Sequence, residues 1–227
     1  MPNSANPRQL ALTLPHQENF AREDFLPGTS NAVALALITA WPDWPARGVA
    51  LVGPAGAGKT HLARIWAAES GARSVLAGEL GSMNLPETLE TGALVVEDLT
   101  EGAVDEYALF HLLNLAREQG TYALLTMREA PTTWKVTLRD LASRLRALPV
   151  VTLKPPDEML LRAVLVKLFA DRQIVVEESL IGYLVTRIER SFAAAREAVA
   201  ELDREALRRK RPITRALAAD LHRGRDV

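Results

Sequence analysis

The sequence predicts an α/β fold in which a five-stranded parallel sheet flanked by helices is followed by a small all-helical domain. Three observations lead to this prediction. Short apolar runs alternate with helix-like segments over the first two thirds of the chain, and a glycine-rich loop joins the first apolar run of that alternation to a helix. The strand-like runs then stop at Pro155 and Pro156, after which only helical patterns follow.

The strand-like segments are short apolar runs, a pattern typical of strands buried on both faces of a sheet. Five such runs cover residues 48–53, 74–77, 93–98, 121–127 and 148–153. Residues 60–70 and 105–120 have helical spacing with a glycine at the end. A first helix is predicted between a cap at Ser30 or Asn31 and a stop at Pro42. This alternation predicts parallel strands with helices on both sides.

Sequence patterns divide the chain into three parts. Residues 1–19 contain three prolines and apolar residues at period two, which predicts a flexible tail. Residues 20–154 hold the alternating strands and helices. Residues 155–227 are expected to form a small all-α domain, with helices at 157–171, 177–189, 192–209 and 214–221.

Composition excludes several classes of protein. The 227 residues include no cysteine, which excludes disulfide frameworks and thiolate metal sites. A net charge of −1 disfavours a protein whose main role is to coat nucleic acid. No apolar run reaches the roughly 18 residues of a membrane span, and the N-terminus lacks the pattern of a signal peptide. We therefore expect a soluble, cytoplasmic protein without a membrane partner.

The loop after the first predicted strand carries the most specific motif in the chain. Residues 53–60 read GPAGAGKT, which fits the phosphate-binding pattern G-x-x-x-x-G-K-[ST] and lies between a strand and a helix, as the motif requires. In such a loop, backbone N–H groups face phosphate oxygens, lysine adds a positive charge, and threonine can ligate Mg²⁺. We predict nucleotide contacts from Gly53, Pro54, Ala55, Gly56, Ala57, Gly58, Lys59, Thr60 and His61.

A P-loop site also requires an acidic group on a neighbouring strand. Glu97 and Asp98 end the third predicted strand, and with Thr60 they form a predicted magnesium site. The alternative is an acidic strand end that enters a loop. Because glutamate is one methylene longer than aspartate, Glu97 is expected to impair metal geometry and hydrolysis. Thr126 ends the fourth strand, where it either orients a water near the γ-phosphate or is an ordinary strand-end residue.

Together these segments resemble the AAA+ ATPases, and within them the DnaA branch. The resemblance covers residues 20–225 and includes LASRLRALPVVTLKPPDEML, FHLLN and RPITRALAADL as well as the P-loop. It implies that residues 20–154 form an AAA+ nucleotide-binding domain and residues 155–227 its helical lid. It also implies that Arg144 is an arginine finger that reaches a neighbouring subunit's nucleotide. The alternative is a surface arginine at a helix end.

Two departures separate the chain from the DnaA initiators. The stretch between the P-loop helix and LVVED is too short for the additional helix with which initiators assemble on DNA. We also expect no helix-turn-helix domain after the lid. In these respects the chain resembles the Hda family, DnaA-related proteins that switch off the initiator DnaA by promoting hydrolysis of its bound ATP.

The N-terminal stretch QLALTL supports this resemblance. Gln9, Leu10, Leu12 and Leu14 are similar to the peptide with which such proteins dock on the DNA polymerase III sliding clamp, its β subunit. An extended peptide can place alternate apolar side chains in surface pockets. The alternative is a tail that folds back as an edge strand. DNA contact is then expected to be mostly indirect, through the clamp.

The resemblance implies an adaptor that holds ADP, or ATP, with Mg²⁺, and whose partners are DnaA and the clamp. Arg144 would act in trans, in the site of DnaA. Weak or no ATP turnover by the chain itself is expected, because Ala193 lies where the family has its second sensor arginine. Arg196 is predicted to replace it, with Arg190 as another option, although either could be a solvated helix residue. A homodimer is plausible for such a module.

Two other functions remain open on the sequence alone. One is a free-standing AAA+ ATPase of the helicase-loader or initiator type, which would use Glu97 and Asp98 for its own turnover. The other is an initiator-related DNA organiser that works through the basic residues 204–211. For that basic segment the alternative is a solvated helix end, where positive charge is favoured by the helix dipole.

Overall fold

The computed structural model describes residues 20–223. Its strands are β1 (Gly48–Val52), β2 (Arg73–Leu76), β3 (Ala93–Leu99), β4 (Tyr122–Met127) and β5 (Val150–Thr152). The helices before β5 are α1 (Ala32–Thr39), α2 (Lys59–Ser70), α3 (Leu85–Thr88), α4 (Glu106–Gln119) and α5 (Arg139–Arg146). Those after β5, here called the lid, are α6 (Glu158–Ala170), α7 (Glu178–Val185), α8 (Phe192–Arg209) and α9 (Arg215–Arg223).

The strands form one parallel sheet of five strands, as the sequence predicts, and the structure gives their order as β2-β3-β4-β1-β5. Each predicted strand is present, but only the central strands β1, β3 and β4 are buried along most of their length. The edge strands β2 and β5 bury one residue each, because each has a neighbouring strand on one side only. At the carboxyl edge, Val52 of β1 lies opposite Met127 of β4. Since β4 lies between β1 and β3, the loop after β1 and the acidic end of β3 approach each other across the end of β4.

Helices cover both faces of the sheet. Successive side chains in β3 point to opposite faces, so Val95 and Val96 enter different apolar clusters. The cluster on the α4 and α5 side includes Leu94, Val96, Leu109, Leu125 and Leu141. The cluster on the α1 and α2 side includes Ile38, Leu51, Leu62, Trp66 and Val95. The sheet is therefore covered by an apolar layer on each face.

The lid has its own apolar core, which includes Leu161, Phe169, Ile181, Leu184 and Val199. Its four helices lie where the helical patterns predict them, with one difference. The helix predicted over residues 177–189 ends at Val185, and the Thr186 hydroxyl donates to the carbonyl of Tyr183 (3.0 Å). Such a bond competes with continued helix. No helix in the described part of the chain is long and apolar enough to cross a membrane.

Residues 20–31, here called the strap, connect the sheet to the lid. The Asp24 carboxylate forms an ion pair with Lys167 of α6 (2.7 Å). The Thr29 hydroxyl donates to Asp157, the N-cap residue of α6 (2.6 Å). Because these contacts join residues far apart in the chain, the strap fixes the position of the lid.

The strap also changes the role of the predicted cap of α1. The helix begins after Asn31, as predicted, but the Asn31 side chain does not cap it. Its amide instead donates to the carbonyl of Leu26 (3.0 Å) and accepts from the N–H of Gly28 (2.8 Å). The residue therefore stabilises the turn of the strap.

Candidate nucleotide-binding site

The loop of residues 53–60 joins β1 to α2 through two glycines with left-handed backbone angles. Gly56 has a φ of +71° and Gly58 a φ of +96°, values that side-chain-bearing residues rarely adopt. The Gly53 N–H donates to the Met127 carbonyl (3.1 Å), which ties the start of the loop to β4. The loop thus presents the N-terminal turn of α2 at the carboxyl edge of the sheet, a geometry that favours anions.

Lys59 is held in place by the loop itself. It is 8% exposed, and its Nζ donates to the carbonyls of Gly53 (2.7 Å) and Pro54 (2.9 Å). Burial lowers the pKa of Lys59; the charge of Asp98 opposes this effect and that of Arg128 adds to it. A buried ammonium is costly without a balancing anion. Lys59 is therefore positioned to receive phosphate oxygens.

Asp98 lies where β3 departs from regular pairing. The register shifts between Val96 and Leu99, and Asp98 has a φ of 58°. The Asp98 N–H donates to the hydroxyl oxygen of buried Thr126 (3.1 Å). Aspartate tolerates this backbone conformation better than most residues. Thr126 thus fixes the end of β3 against β4, with the Asp98 carboxylate close enough to act on Lys59.

The predicted magnesium ligands differ in their placement. Thr60 is in the first turn of α2, and Asp98 acts on the neighbouring Lys59. Glu97 is half-buried, and its Cα pairs with that of Leu76 in β2, on the far side of β3 from β4. Within residues 20–223, no group of three or more histidines and carboxylates could hold a metal. Magnesium here would rely on Thr60, Asp98 and phosphate oxygens, a combination that Mg²⁺ accepts.

The first turn of α8 contacts the P-loop directly. The Phe192 N–H donates to the Gly56 carbonyl (2.9 Å). A Cβ on Gly56 would lie 2.9 Å from the Cβ of Ala193 and 3.1 Å from that of Ser191. The Ser191 hydroxyl caps α8 by accepting from the Ala194 N–H (3.1 Å). The backbone of the lid therefore closes against the loop.

This contact bears on the predicted sensor arginine. Ala193, where the resemblance expects that arginine, is the residue that faces Gly56. Arg196 lies nearly one turn later in α8 and is half-buried, whereas Arg190 precedes the helix and is exposed. Which of the two faces a nucleotide stays a prediction.

The His61 ring is turned toward the strap. It makes edge-to-face contacts with Phe20 and Phe25, at centroid distances of 5.3 Å and 5.1 Å, and its Nε2 lies 3.1 Å from the carbonyl of Ala21. The predicted contact of His61 with nucleotide would therefore come from its backbone N–H, near the start of α2.

Arg144 lies in the last turn of α5, away from the P-loop of its own chain. α5 leads into the amino end of β5, whereas the P-loop follows the carboxyl end of the parallel strand β1. The half-buried Arg144 side chain has no hydrogen-bond or ion-pair partner among residues 20–223. The Glu106 carboxylate of α4 accepts from the N–H groups of Thr137 (2.9 Å) and Leu138 (2.8 Å) and thereby fixes the start of α5.

Two further predictions concern the clamp peptide and the basic segment of α8. The clamp peptide, with Gln9, Leu10, Leu12 and Leu14, lies outside the described residues. In the basic segment, Glu205 pairs with Arg208 and Arg209, both at 2.8 Å. Part of that positive charge is therefore neutralised within α8.

Sequence reasoning missed Arg128, whose charge acts on Lys59. The site prediction for β4 stopped at Thr126, the polar residue near its end. The feature that could have indicated Arg128 is its position directly after β4, the strand that lies between β1 and β3. Strand order, which sequence patterns do not specify, was needed to interpret it.

Comparisons with known proteins bear on the fold. No family model matches the chain, and no curated protein matches it. Domain III of the replication initiation protein DnaA from Thermotoga maritima has a TM-score of 0.73 at 18% identity, over 90% of this chain and 96% of that chain.

Two further structures share the architecture. AMPPCP-bound DnaA from Aquifex aeolicus has a TM-score of 0.66 at 16% identity, over 81% of this chain and 65% of that chain. The RuvB Holliday junction branch migration motor of Thermotoga maritima has a TM-score of 0.68 at 16% identity, over 89% and 70%. These similarities confirm the predicted fold class: an AAA+ fold with a five-stranded parallel sheet and a helical C-terminal region.

Proposed function

We propose that this chain is an ADP-bound AAA+ adaptor that docks on the DNA polymerase III sliding clamp and promotes hydrolysis of DnaA-bound ATP. It would thereby limit the initiation of replication. The observation that carries the proposal is the placement of Arg144 on an AAA+ fold. Its side chain lacks a partner among residues 20–223 and lies at the opposite edge of the sheet from the P-loop of its own chain.

Nucleotide binding is supported by the P-loop. The first turn of α2 and Lys59 would hold the phosphates of ADP or ATP, and Thr60 and Asp98 would hold Mg²⁺. When bound, Mg²⁺ neutralises charge on the phosphate oxygens. Because Phe192 and Ala193 contact Gly56, a nucleotide in the P-loop would also support the position of the lid. The AMPPCP-bound state of the similar DnaA structure agrees with this site.

Action on DnaA would depend on Arg144. A guanidinium that enters the neighbouring site adds positive charge where the γ-phosphoryl group gains negative charge in the transition state. Arginine fingers of this kind contribute roughly 10³ to 10⁵ in rate. Catalysis would then occur in the site of DnaA, and the nucleotide of the adaptor would have a structural role.

The clamp peptide would bring the adaptor to DNA. Gln9 would fix the register of an extended peptide, while Leu10, Leu12 and Leu14 would supply its apolar contacts. Contact with DNA would then be mostly indirect. A cytoplasmic location and a possible homodimer complete the proposal.

The test is hydrolysis of DnaA-bound ATP in the presence of clamp loaded on DNA. The intact chain should stimulate hydrolysis, Arg144→Ala should lose at least about 100-fold of that stimulation while it still binds clamp, and Gln9→Ala or Leu10→Ala should lose clamp binding. Arg146→Ala, on another side of the same helix, is the matched control and should behave as the intact chain. Full stimulation by Arg144→Ala would rule out the finger.

A free-standing ATPase is the second candidate, because Asp98 acts on Lys59 within the same chain. The same assay without DnaA distinguishes the two functions. Steady ATP turnover by the isolated chain that is lost in Lys59→Ala would favour this candidate over the adaptor.

A further inference from the structure

Residues 204–215, here called the basic turn, run from the last turns of α8 to the first residue of α9. They include six basic residues and one acidic residue, whereas the whole chain has a net charge of −1. The rest of the chain therefore carries a net negative charge. A positive segment on an otherwise acidic protein favours an anionic partner.

The structure separates the paired cations of the basic turn from the unpaired ones. The Glu205 carboxylate binds Arg208 and Arg209 within α8. It is the only carboxylate in the basic turn, so the other positive charges are not balanced there. The exposed cations with no carboxylate partner among residues 20–223 are Arg204, Lys210, Arg211 and Arg215.

Lys210 has a backbone conformation that usually selects glycine. It directly follows the last residue of α8 and has a φ of 52°. At the ends of α2 and α4 the corresponding residues are Gly71 and Gly120, with φ values of 69° and 70°. The helix dipole favours a cation at this end, but Arg208 and Arg209 already supply that charge. A lysine in this conformation lowers stability relative to glycine, which indicates a separate role for its side chain.

The basic turn is fixed to the lid on its α9 side. Ile213 packs against the lid core, and Leu217 and Ala218 of α9 are buried in that core. The Arg215 guanidinium lies over the ring of Tyr183, with its Cζ 5.7 Å from the ring centroid. Because the apolar face of α9 is already buried, it is not available to enter a lipid surface.

We propose that the basic turn contacts the phosphate backbone of double-stranded DNA without reading the base sequence. Duplex DNA carries one negative charge per about 1.7 Å of its axis, so several cations on one short segment can bind at once. This charge density fits the four unpaired cations better than the separate carboxylates of a protein surface.

This contact goes beyond the proposed function, because it uses neither the clamp peptide nor Arg144. On its own it would be weak, with a Kd of roughly 10⁻⁴ to 10⁻⁶ M. A chain that is docked on a clamp around DNA would use it more effectively, since tethering raises the local concentration of DNA at this surface.

Fluorescence anisotropy with the full chain and a labelled DNA duplex of about 20 base pairs tests the proposal. Four phosphate contacts should give a slope of about −3 to −4 for log affinity against log salt. Affinity should therefore fall roughly 100-fold between 50 and 200 mM salt, and it should be the same for duplexes of different sequence.

Two variants of Lys210 separate its side chain from its backbone conformation. Lys210→Ala and Lys210→Gly should each weaken DNA binding about threefold or more and reduce the salt slope by about one. Lys210→Gly should nevertheless have a higher Tm than Lys210→Ala, because glycine relieves the left-handed strain. Arg117→Ala, which removes an exposed cation from the last turn of α4, is the control and should leave DNA binding unchanged.

Unchanged DNA affinity in both Lys210 variants overturns the inference, as does the absence of DNA binding by the intact chain at low salt. Tighter binding of a single-stranded RNA of the same length overturns the assignment to DNA. Binding only to vesicles of phosphatidylglycerol and phosphatidylcholine in equal parts also overturns it. If the intact chain binds DNA as expected but binds no clamp and does not stimulate DnaA, the proposed function fails and this inference stands.

Discussion

Gly56 is the residue of the phosphate loop that contacts the lid. Its left-handed φ of +71° turns the loop, and its carbonyl accepts the Phe192 N–H from α8. A Cβ at this position would lie 2.9 Å from the Cβ of Ala193 and 3.1 Å from that of Ser191. Both distances are shorter than ordinary van der Waals contact. Loop conformation and lid contact therefore both require glycine here, for two separable physical reasons.

Gly56→Ala should lower the free energy of unfolding by roughly 2–4 kcal/mol, from left-handed strain plus crowding against α8. The matched control is Gly71→Ala, because Gly71 has a similar φ of +69° but a Cβ added there would meet no atom within 4 Å. It should cost roughly 1–2 kcal/mol from strain alone. Urea unfolding of the two variants measures the difference. Equal losses would show that the lid contact adds no constraint.

At the scale of elements, α5 is positioned by α4. The carboxylate of half-buried Glu106, in the first turn of α4, accepts from backbone N–H groups of Thr137 and Leu138, just before α5. These two hydrogen bonds lower the pKa of Glu106. Since α5 carries Arg144, the tether sets the geometry of the proposed finger as well as local stability.

Glu106→Gln should lower Tm by roughly 2 °C at neutral pH. A carboxyl whose folded pKa is depressed stabilises the fold above its unfolded pKa, near 4.5, and this contribution is lost as pH falls through the folded pKa. The difference in Tm should therefore disappear in acid. Thermal unfolding across this range measures it, with Glu118→Gln, on the same helix, as the control. A difference that is constant with pH would contradict the role of the charge.

At the scale of the whole molecule, the sequence predicts local structure more completely than it predicts contacts between residues far apart in the chain. The apolar runs are sufficient to predict the strands of the sheet, and the P-loop motif is sufficient to predict the place of Lys59, because periodicity and turn chemistry are local properties of the sequence. The α3 turn was missed because four residues are too few for a periodic signal. Arg128 and the Asp24–Lys167 ion pair depend on strand order and on the lid position, which no local pattern specifies.

The strap joins the lid to the rest of the molecule through contacts of this long-range kind. Lys167 is bonded both to Asp24 of the strap (2.7 Å) and to Asp171 of its own helix (2.8 Å). Burial lowers the pKa of Lys167, but the hydrogen bonds and charges of Asp171 and Asp24 outweigh it and raise the pKa overall. Of the two carboxylates, only Asp24 joins the lid to the sheet, so the two are expected to differ in effect.

Asp24→Asn should lower the free energy of unfolding by roughly 1 kcal/mol, because the pair is partly buried and partly screened by solvent. Asp171→Asn, which removes a pair within α6 alone, should cost less than about 0.5 kcal/mol. Calorimetry of both variants, and of each combined with Lys167→Met, isolates the coupling of each pair. An Asp171 coupling equal to or above that of Asp24 would show that the ion pair of the strap does not hold the lid.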